Sequence, residues 1–360
     1  MKDITVEELV NSKSYVPIDV RAPIEHQEAS IPGSVNIPLF TNEERAEVGT
    51  IYKNSGDQAA KWRAMEIVSP KLPSLLKEIR LLEDSGVQPV IHCWRGGSRS
   101  KAVASFLEFS GIPSIRLSGG YRAYREYILE QIPLLLPEKA VVLHGLTGTG
   151  KTDILKIIQK EGYPVLDLEQ MANHRGSLFG TIGIGDGHNQ KTFDALLFER
   201  LNEIKGSPYF IIEAESKRIG RAVQPELMME RKVDGIHFLV QSSVESRIER
   251  IHGEYVEPFK DQEWFRDEVL EKIRKIEKRV KNPALVAQLE EEAALGRDYR
   301  AVISILFEHY YDPRYSHTLK DYRGQFIQVN GDRSEVAAAA ITKELDKRFS
   351  RNEAFSVKQK

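Results

Sequence analysis

The sequence predicts an α/β protein of two successive parallel-sheet domains, the second carrying a C-terminal helical region. Three observations carry this. Short apolar runs alternate with amphipathic helical segments, the arrangement of parallel sheets covered by helices. Two glycine-bearing loops, His92–Ser100 and Gly145–Thr152, each follow an apolar run and open a helix. Between them a stretch with prolines near both ends, Gln131–Lys139, sets the expected boundary, with one domain over 1–136 and the other over 137–360. A chain of 360 residues suits two domains of roughly 150 residues each.

The elements follow in order. Tyr15–Arg21 reads as a strand and Ser34–Leu39 as a short strand with a turn. Pro73–Gly86 is a helix with Leu75, Leu76, Ile79 and Leu82 on one stripe, stopped by Gly86. Pro89–Cys93 is the next strand, a helix follows from Ser98 to Gly111, and Ser114–Leu117 leads into a Gly119-Gly120 turn. In the second half, Ala140–His144 is a strand feeding the glycine loop and its helix. Further strands are expected at Tyr163–Leu168, Pro208–Ala214 and Gly235–Val240. From about Ser243 the pattern turns helical and charged, and Gln262–Lys281 carries mixed-sign pairs at helical spacing, a solvated face. A strand at Phe326–Asn330 and a helix over Ser334–Phe349 close the pattern.

Composition narrows the class. Apolar residues make up 41% and charged residues 29%, as in soluble globular proteins. Lys+Arg total 51 against 53 Asp+Glu, so any nucleic acid must be held by a local basic patch. No apolar run approaches the roughly 18 residues of a membrane span. The charged, helix-like Met1–Val10 is unlike a signal peptide. A single cysteine excludes an intramolecular disulfide framework and an all-cysteine zinc site. The expectation is a cytoplasmic protein without membrane association, and nothing demands more than a monomer.

Cys93 stands where a strand ends and a helix begins, the end of a parallel sheet where ligands bind. The amides of the residues after it can curl around an anion, and the helix N-terminus adds positive potential. Gly96 and Gly97 permit the curl, Ser98 opens the helix, and Arg95 and Arg99 supply fixed charge. These terms favour a thiolate nucleophile. Asp19 and Arg21 read as a structural ion pair.

Gly145–Thr152 is a full G-x4-G-K-T loop between strand and helix, a phosphate cradle. Gly145, Thr147, Gly148, Thr149 and Gly150 supply its backbone, Lys151 neutralises a diphosphate, and Thr152 can ligate Mg²⁺. The motif does not say whose diphosphate is bound. The aspartate expected on a later strand is not evident: Glu213, Glu215 and Asp167 stand in candidate places, which weakens ordinary ATP hydrolysis. The glycine-dense stretch His174–Gln190, with Arg175, Gly176, Ser177 and His188, reads as a loop approaching a ligand. His174 and His188 lack the spaced Cys or acidic neighbours of a metal site, and no metal is assigned with certainty.

Two families share the cysteine loop. Cysteine-dependent phosphatases use His-Cys-x5-Arg-Ser/Thr, and His92, Cys93, Gly96, Arg99 and Ser100 comply. Asp19–Arg21, Ile31–Pro38 and Leu117–Arg125 are similar to rhodanese landmarks, and no Trp-Pro-Asp general-acid loop precedes the cysteine. The first half therefore resembles a rhodanese-like domain, and the second a P-loop NTPase-like domain. Their fusion, with LDLEQMANHRGSLFG (Leu166–Gly180) and YYDPRY (Tyr310–Tyr315), resembles the tRNA 2-selenouridine synthase family over most of the chain.

That resemblance implies conversion of wobble 2-thiouridine in the tRNA anticodon loop to 2-selenouridine. Geranyl diphosphate would first alkylate the sulfur. Selenium from selenophosphate would then displace the geranylated thiol. It implies no tightly bound cofactor, a selenopersulfide on Cys93, selenophosphate at Arg95–Arg99, the prenyl diphosphate at Gly145–Thr152, and a selenophosphate-supplying enzyme as a partner. Candidate RNA contacts are Arg116, Arg122 and Arg125; Lys217, Arg218 and Arg221; Arg247 and Arg250; and Tyr121, Tyr124, Tyr310 and Tyr311, the tyrosines being better suited to the core. Two other readings stay open: a Cys-x5-Arg phosphatase fused to a P-loop kinase, and a non-catalytic sulfur-relay or RNA-binding adaptor.

Overall fold

A computed structural model describes residues 1–280, 282–296 and 299–349. The chain divides into one unit of Met1–Gln131 with Asp194–Leu196, and a second of Ile132–Phe193 and Leu197 onward.

The first unit contains β1 (Lys2–Ile4), α1 (Val6–Asn11), β2 (Tyr15–Asp19), α2 (Pro23–Glu28), β3 (Val35–Asn36), α3 (Asn42–Val68), α4 (Leu72–Asp84), β4 (Gln88–His92), α5 (Ser98–Phe109), β5 (Ile115–Leu117) and α6 (Gly120–Leu135). Its strands form a parallel sheet in the order β1-β5-β4-β2-β3. Ile18, Ile91, Val103 and Leu107 meet in the core, with the Leu75, Leu76 and Ile79 stripe of α4. Residues 42–68, for which the sequence pattern predicts no element, form α3. Gly56 breaks that helix at φ 86° and ψ 176°, and the pairs Arg63–Glu47 (2.6 Å) and Lys71–Glu44 (2.5 Å) show its two arms folding back on each other. Of its 27 residues only Ala60 and Val68 are buried, so no apolar stripe announces it.

The second unit contains β6 (Lys139–His144), α7 (Lys151–Lys160), α8 (Leu168–Ala172), α9 (Gln190–Glu203), β7 (Tyr209–Glu213), β8 (Arg218–Ile219), β9 (Ala222–Val223), α10 (Glu226–Val233), β10 (Ile236–Gln241), α11 (Val244–Ile251), α12 (Glu263–Val280), α13 (Pro283–Leu295), α14 (Tyr299–Leu306), α15 (Asp312–Thr318), β11 (Phe326–Asn330) and α16 (Ser334–Arg348). A parallel sheet β11-β10-β6-β7 is buried against α7 and α16, while β8 and β9 make a small antiparallel pair. Helices α12 to α14 close a separate apolar cluster around Phe265, Ile273, Leu289 and Leu306.

One expectation is corrected. Tyr163–Leu168 is no full strand: Val165 alone bridges Ile211, and Asp167 then accepts Gln170 N–H at 2.9 Å and starts α8. Pro164 has no N–H to extend the ladder. At the expected boundary, Gln131–Lys139, α6 runs through Pro133 to Leu135. Among the described residues no helix is long and apolar enough to cross a membrane.

Candidate active site: two anion-binding loops

Cys93 follows β4, the central strand of its sheet, and is 3% exposed. Its Sγ lies 3.3 Å from Ser100 Oγ on α5. The loop is pinned from behind by the Gly119-Gly120 turn: Tyr121 N–H donates to Cys93 O and Arg122 N–H to Trp94 O, both at 2.9 Å. Gly120 has φ +63°, and a Cβ there would stand 2.3 Å from Cys93 O and 2.4 Å from Gly96 N, so only glycine fits. This contact is the physical content of the Leu117–Arg125 landmark.

Asp19 and Arg21 are the structural pair expected. Both are fully buried, Arg21 Nε donates to Asp19 at 2.9 Å, and its Nη2 reaches Ala29 O at 2.7 Å. Arg21 also lies over the Tyr121 ring at 4.3 Å. Burial works to raise the Asp19 pKa, but Arg21 and His92 hold it below the usual range. Burial pushes His92 down to about 4, leaving a neutral ring beneath Cys93.

The two arginines of the loop are placed differently. Arg95, Gly97 and Ser98 are exposed at the rim. Arg99 turns to Glu25, which receives Nη1 at 2.6 Å and Nη2 at 3.2 Å, so part of the loop's positive charge is neutralised. Glu25 is a functional neighbour the sequence did not flag, because 74 positions separate the two residues.

The P-loop follows β6 and is clasped by side chains from far along the chain. Gly145 N–H donates to Tyr315 Oη at 2.7 Å. Arg247 Nε donates to Thr147 O at 2.8 Å, and Arg250 Nη1 to Gly148 O at 2.6 Å. Arg247 is 2% exposed, binds Asp312 at 2.9 and 2.7 Å, and lies over Phe307. It therefore positions the loop and is unavailable to RNA, contrary to expectation. Thr149 is buried with Oγ1 on Leu146 O, and Gly150 caps α7. Lys151 Nζ reaches Gly145 O at 2.8 Å. Burial works to lower the Lys151 pKa, but Tyr315 and the carboxylates beside it hold it above its usual value.

Those carboxylates are Glu169, Glu213 and Glu215, with ligand oxygens within 4.8 Å of one another. Thr152 Oγ1 donates to Glu213 at 2.9 Å. Glu213 thus occupies the place where an aspartate was sought, while Asp167 caps a helix. Glu169 was missed; its one signal is its position just after the strand-like Val165–Asp167. Burial and mutual repulsion raise Glu169, and push Glu213 up to about 7. Three carboxylates and a hydroxyl are hard oxygen donors that could hold a divalent cation such as Mg²⁺. The glycine loop packs on this cluster: a Cβ on Gly176 (φ +64°) would lie 2.6 Å from Glu215 Oε2.

The rest of that loop is held internally. His174 Nδ1 accepts Gly176 N–H, and His188 Nδ1 lies 2.9 Å from Met171 O. Arg175 pairs with Glu254 at 2.9 Å, and Gln190 makes two bonds to the Val223 backbone. Ser177 and Thr147, with Tyr255 and Tyr311, border an apolar cavity of about 70 Å³ walled by Phe179, Ile182, Val269, Leu306 and neighbours. A greasy chamber therefore adjoins the phosphate loop.

Most of the expected RNA contacts have partners within the chain or lie in the core. Arg116, Arg122, Lys217 and Arg221 pair with Asp3, Glu126, Glu226 and Asp186. Tyr121, Tyr124 and Tyr310 are buried.

Two family models match the chain: a tRNA 2-selenouridine synthase AAA domain over residues 138–347 and a rhodanese-like domain over residues 4–127. The chain is 33% identical over 346 residues to the tRNA 2-selenouridine synthase of Pseudomonas fluorescens, covering 89% of this chain and 92% of the relative. The corresponding enzyme of Hahella chejuensis is 32% identical over 348 residues, 89% of each chain. That of Bdellovibrio bacteriovorus is 34% identical over 269 residues, 71% of this chain and 69% of the relative. Among solved structures, the N-terminal domain of a putative ATP/GTP binding protein from Clostridium difficile 630 is similar at 36% identity and a TM-score of 0.34, covering 35% of this chain and 98% of its own.

Proposed function

The chain belongs to the tRNA 2-selenouridine synthase family, a family of tRNA-modifying enzymes, and on that premise we propose a two-stage exchange of sulfur for selenium at a wobble 2-thiouridine. In the first stage the thiocarbonyl sulfur attacks C1 of geranyl diphosphate. The C1–O bond breaks, diphosphate departs with the electron pair, and the base loses its N3 proton. In the second stage selenium replaces the alkylated sulfur, because geranylthiolate leaves C2 far more readily than sulfide.

The observation that carries the first stage is the apolar cavity bordering the phosphate loop at Thr147 and Ser177. A prenyl diphosphate needs a diphosphate cradle beside a chamber without polar demands, whereas a nucleotide base would need hydrogen-bonding partners. Lys151 and the loop amides take up the charge growing on the departing diphosphate. Thr152, Glu169, Glu213 and Glu215 would hold Mg²⁺, which when bound supplies further neutralisation of the diphosphate.

Cys93 belongs to the second stage. A selenopersulfide there requires selenium two electrons more oxidised than it is in selenophosphate, and the chain has no second cysteine. Thiolate attack on phosphorus needs no oxidant and suits the Cys-x5-Arg loop. In that form selenium of selenophosphate forms the bond to C2 and geranylthiolate leaves. Cys93 then takes the phosphoryl group from selenium, and water releases phosphate from the cysteine. Ser100 Oγ, 3.3 Å from Sγ, stabilises the departing thiolate.

Mass spectrometry of a 2-thiouridine anticodon stem-loop, incubated with geranyl diphosphate and then selenophosphate, tests this. The expected course is a geranyl mass gain, then conversion to free 2-selenouridine only with Cys93 intact. An unchanged RNA, with ATP or an aryl phosphate consumed instead, would favour a phosphatase–kinase fusion.

A further inference from the structure

Resting on the tRNA reading above, we infer that the cleft between α3 and α5 in the first unit receives the unpaired anticodon loop and leads it to the cysteine loop. The cleft has a volume of about 1010 Å³ and lies between the folded-back arms of α3 and the start of α5. Ser98 and Arg99 of the cysteine loop form part of its wall, so it is continuous with the rim of that site.

Core packing accounts for only a few residues of the α3 arms, Val68 with Val48, Ala64 and Ile67 beside it. About two thirds of their residues are exposed, including Tyr52 at 59% and Trp62 at 66%. Their inner surface is lined by small residues, among them Ala46, Gly49 and Ala64, which leave the cleft open. Its charge suits a polyanion. Arg45, Lys53, Lys61, Arg99 and Lys101 line it against the single acid Asp57. Asp57 holds Lys61, and Glu25 holds Arg99 and approaches Arg45 at 3.7 Å. Among the described residues Lys53 and Lys101 pair with no carboxylate, one on each wall.

Two uncommitted cations on facing walls, with Tyr52 exposed between apolar and basic residues, match what a single-stranded nucleic acid needs. Phosphates take the cations, and splayed bases stack on aromatic faces. The basic clusters of the second unit named from sequence are largely consumed by acids, which leaves this surface as the better candidate.

Fluorescence anisotropy of a labelled anticodon stem-loop with the full chain tests the inference. Lys53→Glu/Lys101→Glu should raise Kd at least about tenfold and flatten its dependence on log salt by about 1.4, two single-strand phosphate contacts. Tyr52→Ala should raise Kd about tenfold without changing the salt slope. All three positions are exposed, so the folded state and hydrolysis-free geranyl diphosphate binding should persist. Unchanged Kd and slope in both variants would overturn the inference while leaving the function standing. Failure of the wild type to bind the RNA would overturn both. Should the RNA-free chain dimerise through Tyr52 with RNA affinity untouched, a second copy occupies the cleft and the inference falls.

Discussion

The Cys93 loop and the P-loop are built on one plan and secured in different ways. Each follows a parallel strand whose last residue is a buried histidine, His92 before Cys93 and His144 before Gly145, and each opens a helix. The cysteine loop is pinned by backbone: the amides of Tyr121 and Arg122, just after the Gly119-Gly120 turn, hold its carbonyls. The P-loop is clasped by side chains 100, 102 and 170 positions away: Arg247, Arg250 and Tyr315. The difference teaches where each site is vulnerable. A backbone clasp fails when a Cβ is added, and a side-chain clasp fails when a distant residue is changed.

Chemistry should separate the two loops most sharply. Lys151→Ala should slow geranyl transfer by about 10²–10³-fold, while Cys93→Ala spares it and yields no free 2-selenouridine; rates followed by mass spectrometry check both. Equal loss of both stages in either variant would break the division.

Next comes the backbone clasp. Gly120→Ala should destabilise the first unit by about 3 kcal/mol or more, through overlap with Cys93 O and Gly96 N. Gly97→Ala meets nothing within 4 Å and should cost under about 1 kcal/mol. Urea unfolding of the two variants compares them, and similar losses would contradict the close approach.

The side-chain clasp should give a smaller, more selective effect. Arg247→Lys keeps the charge but loses the bidentate bond to Asp312, so KM for the prenyl donor should rise about tenfold. The kcat should change much less, and the cysteine stage, assayed on pre-geranylated RNA, should be unaffected.

The mildest test concerns the feature the loops share. Burial pushes His92 down to about 4 and His144 to about 3, so both stay neutral in the folded chain when the unfolded chain begins to take up protons near pH 6.5. Their contribution is complete above pH 6.5 and is lost as pH falls toward 4. Between pH 7 and 5.5 each should cost about 1 kcal/mol. Chemical denaturation at the two values measures this, and His92→Asn should remove its share.

Much of this was legible in the sequence because it is local. Strand, glycine loop and helix occur in immediate succession at both sites, and their chemistry is written in contiguous residues. What the YYDPRY motif does was not legible. Asp312 holds Arg247, Tyr315 receives the Gly145 amide, and Tyr311 borders the apolar cavity. Composition could not separate buried arginines from exposed ones either, so Arg247 read as a charge open to RNA.

The α3 arms escaped for another reason: they bury almost nothing, and periodicity reports only what packing imposes. By itself the sequence determined the two α/β halves and the two glycine loops that end their strands, one with Cys93 and one with Lys151, since backbone geometry at short range dictates them. Only the tertiary structure decided the partners of those groups: Glu25 on Arg99, three glutamates around Thr152, and Arg247 beneath the P-loop. These pairings join residues far apart in the chain. Their strength depends on burial and orientation, which exist only once the chain has folded.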